Sequence, residues 1–127
     1  VGKPSDMVGA VLRGVDMFDC VIPTRSGRNG QVFVRNGTIN LKNAKHRLDR
    51  NPIDENCGCY CCSNFSRGYL SHLVRSNEIL GSMLLTWHNL HFYVTLMKKI
   101  RELIKKGEFT AFAKKFLDEQ EKKFIDF

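Results

Sequence analysis

Long apolar runs are absent from this sequence of 127 residues, and proline is scarce, with three residues. A membrane-spanning helix needs a run of about 18 apolar residues, so we expect no membrane partner. The chain opens with VGKPSDM, which has neither an initial Met nor the pattern of a signal peptide. We therefore expect a fragment or a processed piece of a longer protein. Apolar residues make up 43% of the chain, which is enough for the core of one modest domain.

Negative charge is scarce in the segment over 21–50. This segment contains seven cationic residues and only Asp49 as an acidic residue, so its net charge is +6, compared with +7 for the whole chain. A polyanion such as RNA is the natural partner of so basic a segment. A solvated basic face is the alternative. The cationic residues are Arg25, Arg28, Arg35, Lys42, Lys45, Arg47 and Arg50.

Cysteine is missing from most of the chain but concentrated in one string. Four of the five cysteines lie in CGCYCC, over 57–62, whereas Cys20 stands apart. Disulfide frameworks spread cysteines along a chain, whereas metal sites cluster them, so we expect a reducing, cytoplasmic setting. Cys57, Cys59 and Cys62 form a C-x-C-x-x-C pattern, which predicts three ligands of one zinc ion. Free buried cysteines are the alternative.

A structural zinc site needs a fourth ligand. Cys61 lies between two ligands and is expected to point away from them. The other candidates are Cys20, His46, His72, His88 and His91. Three of the histidines follow the cysteines, and spacing alone does not choose among His72, His88 and His91. Four protein ligands leave no open position for water, so the predicted role is structural rather than catalytic.

Periodicity and turn signals predict an αβ unit, a hairpin and three helices. A helix is predicted over 4–13, and the run VDMFDCVI predicts a mostly buried strand over 15–22. A polar loop over 24–30 leads to a hairpin over 31–43 that turns at Asn36-Gly37. The helices that follow are predicted over 66–75, 76–106 and about 108–124.

Apolar stripes mark the predicted inward faces of the last two helices. In the last helix, the inward residues are expected to be Phe109, Phe112, Phe116 and Leu117. In the helix before it, the stripe consists of Leu80, Met83, Leu84, Trp87, Leu90, Val94, Met97, Ile100 and Ile104.

Four strings of the sequence carry a family resemblance. They are GVDMFDCVIPTRSGRNG over 14–30, NPIDENCGCYCC over 51–62, SRGYLSHL over 66–73 and HNLHFYVTLMKKIR over 88–101. Together they strongly resemble the C-terminal part of bacterial tRNA-guanine transglycosylase, also called queuine tRNA-ribosyltransferase. The resemblance extends in order over nearly all of the chain.

This resemblance implies an α/β fold, the C-terminal portion of a TIM (β/α)8 barrel with an inserted zinc-binding subdomain. Residues 1–22 would form the last αβ unit of the barrel, 23–75 the RNA-facing zinc insert, and 76–127 the C-terminal helices that close the barrel. The family's fourth zinc ligand is a histidine in an H-N pair, which falls on His88. The zinc would then tie the insert to the closing helix.

The resemblance also implies an activity. The family exchanges the wobble guanine of tRNAs with GUN anticodons for a modified deazaguanine, and bacterial members take preQ1. The matching nucleophile is Asp19, an aspartate that would attack ribose C1′ from the end of a barrel strand. Without the resemblance, a lone aspartate there would be interpreted as a loop cap. The family's second catalytic aspartate and its base pocket lie upstream of Val1, so we expect the chain alone to be inactive.

Two sets of partner contacts follow from the same resemblance. Arg25 and Arg28 match arginines that hold the tRNA anticodon loop, and arginine suits contacts with phosphates and splayed bases. Further phosphate contacts are expected from Lys42, Lys45 and Arg47.

The second set is a homodimer interface. Phe65, Tyr69 and His72, which share one face of a predicted helix, match an aromatic cluster at that interface. The family often has Trp where this chain has Phe65, which predicts a weaker contact. Ordinary core packing is the alternative.

A non-catalytic zinc module that binds RNA or a partner chain is the competing hypothesis. A eukaryotic subunit of the family has lost the nucleophile, but the presence of Asp19 and Cys20 argues against that interpretation. Archaeal relatives, which insert a different deazaguanine, carry a C-terminal RNA-binding extension, which is not expected here.

Overall fold

Helices dominate the fold, and the only sheet among the described residues is a two-stranded hairpin. The structure, a computed structural model, describes residues 2–122 and the side chains of residues 2–120. In chain order the elements are α1 (Pro4–Leu12), α2 (Ile22–Arg28), β1 (Gln31–Val34), β2 (Gly37–Asn40), a 3-10 turn (Ala44–His46), α3 (Tyr60–Asn64), α4 (Arg67–Arg75), α5 (Ile79–Lys106) and α6 (Phe109–Lys122).

The chain forms two compact units. Among the described residues, the first contains 2–22, 35–37 and 93–122, and the second contains 23–34 and 38–92. The long helix α5 contributes its first half to the second unit and its second half to the first. The three-part division inferred from the family resemblance stays a prediction.

The hairpin region contributes four residues to the core of the second unit. Val32, Val34, Ile39 and Leu41 are buried. They pack in one cluster with residues of α4 and α5 and with the cysteine knuckle, the cysteine-rich segment over 57–62. The predicted hairpin is therefore confirmed, although its turn lies at Arg35-Asn36, one residue earlier than predicted.

Helix α6 packs against α1 in the first unit. The buried residues there include Met7 and Val8 of α1 and Phe109 and Phe116 of α6, which confirms the predicted inward direction of both phenylalanines. Phe112 and Leu117 are half-buried. The predicted end of this helix, near Phe124, lies outside the described residues.

The predicted buried strand over 15–22 is wrong. Residues 15–21 have no regular structure, and Val15, Met17 and Val21 are 42%, 87% and 51% exposed. A strand needs a neighbour to satisfy its backbone hydrogen bonds, and within residues 2–122 no strand lies beside this segment. The predicted loop over 24–30 is also wrong, because α2 occupies most of it. Pro23 lies in the first turn of α2, where its missing N–H breaks no helical hydrogen bond.

The apolar stripe of α5 does not mark its inward face. Of the nine predicted residues only Leu84 and Ile100 are buried, and Met97 is half-buried. The inward face instead includes His88 and Asn89, which are both fully buried. The same face also includes the buried Leu85, Tyr93 and Leu96, so it is mixed rather than apolar throughout. Two polar positions interrupt its apolar pattern, and apolar periodicity alone therefore selected the neighbouring stripe. The exposed residues of the stripe are Leu80, Met83, Trp87, Leu90, Val94 and Ile104.

Within the described residues, none of the helices combines the length and the apolar character that crossing a membrane requires.

Candidate functional site

Three cysteines and one histidine meet in the core of the second unit. The ligand atoms of Cys57, Cys59, Cys62 and His88 all lie within 4.8 Å of one another. The three sulfur atoms are 3.7, 3.6 and 3.3 Å from His88 Nδ1. A tetrahedral zinc ion with ordinary bond lengths places sulfur and nitrogen about 3.5 Å apart. The four side chains therefore form a compact metal-binding site with the dimensions of a structural zinc centre.

The ring of His88 is oriented by the backbone of β1. Its Nε2 lies 2.8 Å from the carbonyl oxygen of Phe33. A carbonyl only accepts hydrogen bonds, so Nε2 carries a hydrogen, and Nδ1 is the nitrogen that faces the three sulfur atoms. A hydrogen bond of this kind to a metal-binding histidine selects the ligating tautomer and holds the ring in place.

The knuckle itself is held by a short helix. Cys59 is the N-cap of α3, and its sulfur accepts a hydrogen bond from the backbone N–H of Cys62 at 3.3 Å. A side-chain hydrogen bond from Cys62 is the main cause that lowers the pKa of Cys59, to about 3, against the opposing effect of burial. The same hydrogen bond and burial raise the pKa of Cys62. Three thiols this close need a cation before all of them can ionise.

Protons and metal compete at His88. Burial disfavours charge on the ring, but hydrogen bonds to Cys57 and Cys59 outweigh burial and raise the pKa of His88 to about 9. Metal binding must therefore displace a proton from Nδ1.

The other candidate ligands lie outside this group. His72 is exposed on α4 and His91 is half-buried on α5. Cys61 is fully buried, and burial raises the pKa of its thiol to about 12, so it remains a protonated, apolar side chain. The ambiguity that spacing left among three histidines is thus decided by geometry, in favour of His88.

The predicted RNA-binding cations are exposed in the same unit. Arg25 and Arg28 lie in the last turn of α2. The aliphatic stem of Lys42 covers Gly30, since a Cβ at Gly30 would lie 3.3 Å from Lys42 Cγ. Arg75 of α4 donates to the Lys42 carbonyl from Nε at 3.2 Å and from Nη2 at 3.0 Å. These contacts bring Lys42 and Arg75 next to the C-terminal end of α2.

Lys45 and Arg47 are also exposed, at the 3-10 turn. The second unit therefore presents cations from α2, from the segment after the hairpin and from α4.

Four aromatic side chains form a row on the second unit. Phe65 stacks on Tyr69 with ring centres 5.6 Å apart, and Tyr60 lies between Phe65 and Trp87, at 5.8 and 5.2 Å. Phe65 precedes α4 rather than lying within it, so the three predicted interface residues do not share one helix. His72 is exposed one turn beyond Tyr69 on α4.

Asp19 is exposed on the irregular segment 15–21 of the first unit. Its neighbour Cys20 is half-buried and packs against Gly2, where an added Cβ would lie 2.9 Å from Cys20 Cβ. The carboxylate of Asp19 is thus accessible, whereas the Cys20 thiol faces the N-terminal segment.

A family comparison agrees with this geometry. The model of the queuine tRNA-ribosyltransferase family matches residues 1–122. The chain belongs to the queuine tRNA-ribosyltransferase family. Within this family, it is 58% identical to the queuine tRNA-ribosyltransferase of Dinoroseobacter shibae over 120 residues, which are 94% of this chain and 32% of that relative.

Other queuine tRNA-ribosyltransferases show the same relationship. The protein of Sphingopyxis alaskensis is 60% identical over 91% of this chain and 31% of its own length, and that of Rickettsia prowazekii is 58% identical over 85% and 30%. This family member thus spans about a third of the length of the curated relatives it matches.

Sequence reasoning missed Asn89, which links α5 to α2 and β1. It is fully buried and makes three hydrogen bonds, all with backbone groups of α2 and β1. The available signal was its position directly after the zinc ligand, in the H-N pair.

Proposed function

We propose that this chain is the C-terminal portion of a tRNA-guanine transglycosylase that exchanges the wobble guanine of GUN anticodons for preQ1. The match of residues 1–122 to the family model is the observation that carries this proposal. In the whole enzyme the chain would complete a TIM barrel and would work in the cytoplasm. On its own it would lack the base pocket, in keeping with its coverage of about a third of its relatives.

Asp19 would be the nucleophile. An ionised carboxylate oxygen attacks ribose C1′, the bond from C1′ to guanine breaks, and a covalent ester between Asp19 and the ribose forms. The incoming base then attacks C1′ from the side that guanine left, and the carboxylate is released. Two inversions give net retention of configuration, as in retaining glycosidases. The exposed carboxylate of Asp19 is compatible with this role.

The metal would be structural. Cys57, Cys59, Cys62 and His88 would hold one zinc ion, and four protein ligands leave no position for a reacting water. The zinc would have no catalytic role and would cross-link the cysteine knuckle to α5.

The tRNA anticodon loop would bind the basic surface of the second unit. Arg25 and Arg28 would grip phosphates or splayed bases, with Lys42 and Lys45 adding phosphate contacts. The position of Arg75 beside Lys42 supports a broader basic surface than the sequence predicts.

The aromatic row would contribute to a homodimer. Tyr69 and Trp87 are 42% and 54% exposed, and large exposed aromatic side chains in a connected row are typical of protein interfaces. Phe65, Tyr69 and His72 would form one end of this interface, and Tyr60 and Trp87 would extend it.

The test of the catalytic role uses a chimera in which this chain replaces the matching third of the Dinoroseobacter shibae relative. Asp19→Asn removes the nucleophilic charge with little change in size. We expect base exchange to fall by at least about a thousandfold and the covalent RNA adduct to disappear on denaturing gels.

Asp16→Asn is the matched control, because Asp16 is another exposed aspartate of the same irregular segment. We expect it to retain exchange and adduct formation. Normal exchange by Asp19→Asn would remove Asp19 from the nucleophile role. An unmodified chimera that binds RNA and zinc but never exchanges a base would favour the non-catalytic module instead.

A further inference from the structure

One buried amide connects the metal-binding turn of α5 to α2. Asn89 Oδ1 accepts from the backbone N–H of Phe33 at 3.0 Å, and Nδ2 donates to the carbonyls of Pro23 and Gln31, both at 3.0 Å. The partners define the orientation of the amide, since an N–H only donates and a carbonyl only accepts. Asn89 therefore joins α5 to the start of α2 and to β1.

A second contact holds α2 against the same turn of α5. A Cβ at Gly27 would lie 2.7 Å from Thr86 Oγ1 and 2.8 Å from the Thr86 backbone nitrogen. Only glycine allows so close an approach without a shift of α2. Thr86 and Asn89 are three residues apart, so they lie on one face of α5.

The zinc ligand lies between these two contacts in the chain. His88 directs Nδ1 to the cysteine sulfurs and Nε2 to the Phe33 carbonyl. Residues 86–89 thus carry a metal ligand and the two contacts with α2 described above.

The short length of α2 makes these contacts necessary. It has seven residues, and an isolated helix of that length is unstable in water. Arg25 and Arg28 project from it, so their orientation depends on the contacts with α5. Side chains that are already oriented lose less entropy when they bind, which strengthens binding.

We propose that Asn89 and Gly27 are positioning residues for RNA recognition, which hold α2 on the zinc-bearing turn of α5 and thereby orient Arg25 and Arg28. This inference rests on the proposed function, in which those arginines contact RNA. The alternative is that Asn89 only stabilises the fold.

A double-mutant cycle in the chimera distinguishes positioning from stability. Asn89→Ser and Gly27→Ala are each measured alone and together with Arg25→Ala and Arg28→Ala. The readouts are bound zinc, thermal stability and affinity for an RNA stem-loop with a GUN anticodon at several salt concentrations. If the residues act through the arginines, their effects on RNA binding will not add.

We expect each positioning variant alone to lower RNA affinity about tenfold and to reduce the salt dependence, with zinc retained. When Arg25 and Arg28 are both replaced by alanine, the same substitutions should lower RNA affinity by less than about twofold. Gly9→Ala is the control, since an added Cβ there would meet only the end of the flexible Arg13 side chain, at 3.3 Å. It should bind RNA normally.

If a positioning variant lowers RNA affinity equally with and without Arg25 and Arg28, the inference is overturned, because the loss then reflects a general loss of stability. Unchanged affinity in both positioning variants, with weak binding after loss of the arginines, would overturn it and leave the proposed function intact. Unchanged affinity after loss of both arginines would overturn the inference together with the proposed RNA contact. If Asn89→Ser releases zinc, the RNA affinities of Gly27→Ala, with and without the two arginines, test the inference by the same criteria.

Discussion

Cys59 and Cys61 are two residues apart and both buried, yet their side chains have different environments. The Cys59 sulfur accepts hydrogen bonds at the N-terminus of α3, which favours its ionised, metal-ligating form. Cys61 faces the apolar core, where burial raises the pKa of its thiol to about 12. Neighbouring cysteines therefore have different roles, one in metal binding and one in packing.

This difference predicts opposite outcomes for two substitutions. Cys59→Ser should lose the metal, because a hydroxyl is a poor replacement for a thiolate ligand, and bound zinc should fall from about one ion per chain to nearly none. Cys61→Ala, the matched control, should retain the zinc and lose only some packing energy. Metal analysis after exhaustive dialysis measures both. Full zinc content in Cys59→Ser would remove Cys59 from the ligand set.

At the scale of elements, Arg35 joins α6 to the hairpin turn. Arg35 places its guanidinium 4.7 Å from the Phe112 ring centre and 5.0 Å from that of Phe116, and its Nε lies 2.7 Å from Glu119 Oε2. The Arg35 carbonyl accepts from Gln120 Nε2 at 2.8 Å. The ion pair is partly exposed and contributes little, whereas Phe116 is fully buried and contributes most.

Phe116→Ala should therefore lower the free energy of unfolding by about 3–5 kcal/mol, since it leaves a cavity where α6 meets α1. Glu119→Gln, which keeps a hydrogen-bond acceptor for Arg35, should cost less than about 1 kcal/mol. Urea unfolding of each variant measures the difference. A larger cost for Glu119→Gln than for Phe116→Ala would show that the ion pair, not apolar burial, holds α6.

At the scale of the whole molecule, much apolar surface is exposed. In the second unit, Leu80, Met83, Trp87 and Leu90 of α5 are all more than 40% exposed, beside the aromatic row. Apolar surface of this extent marks interfaces in soluble proteins. The proposed function assigns such surfaces to contacts with the rest of the proposed transferase and with a second copy.

The homodimer proposal predicts that Tyr69→Ala weakens self-association of the chimera. A half-exposed tyrosine that stacks in an aromatic row is a typical hot spot, so the dimer dissociation constant should rise at least about tenfold. Leu48→Ala is the control, because Leu48 is 93% exposed and lies outside the row. Sedimentation velocity over a range of concentrations gives both constants. An unchanged dimer in Tyr69→Ala would place the interface elsewhere.

Local chemistry accounts for what was predicted correctly. The C-x-C-x-x-C spacing alone identified three metal ligands, and the Asn36-Gly37 signal identified the hairpin, because both depend on residues close together in the chain. The prediction of a strand over 15–22 was wrong because it depended on residues that are far apart in the chain. Whether an apolar run becomes a strand depends on neighbouring strands, and such neighbours are remote in sequence.

The sequence by itself determined the thiol knuckle, the basic segment and the family strings, since each is a property of residue type and spacing. Only the tertiary structure decided which histidine meets the thiols by geometry, which face of α5 is inward and what holds α2. Those outcomes depend on contacts between residues more than 25 positions apart, as in the bonds from His88 to Cys62 and from Asn89 to Pro23. The inward face of α5 combines apolar residues such as Leu85 and Leu96 with the buried polar side chains of His88 and Asn89. The two polar side chains are buried because their hydrogen-bonding groups have partners.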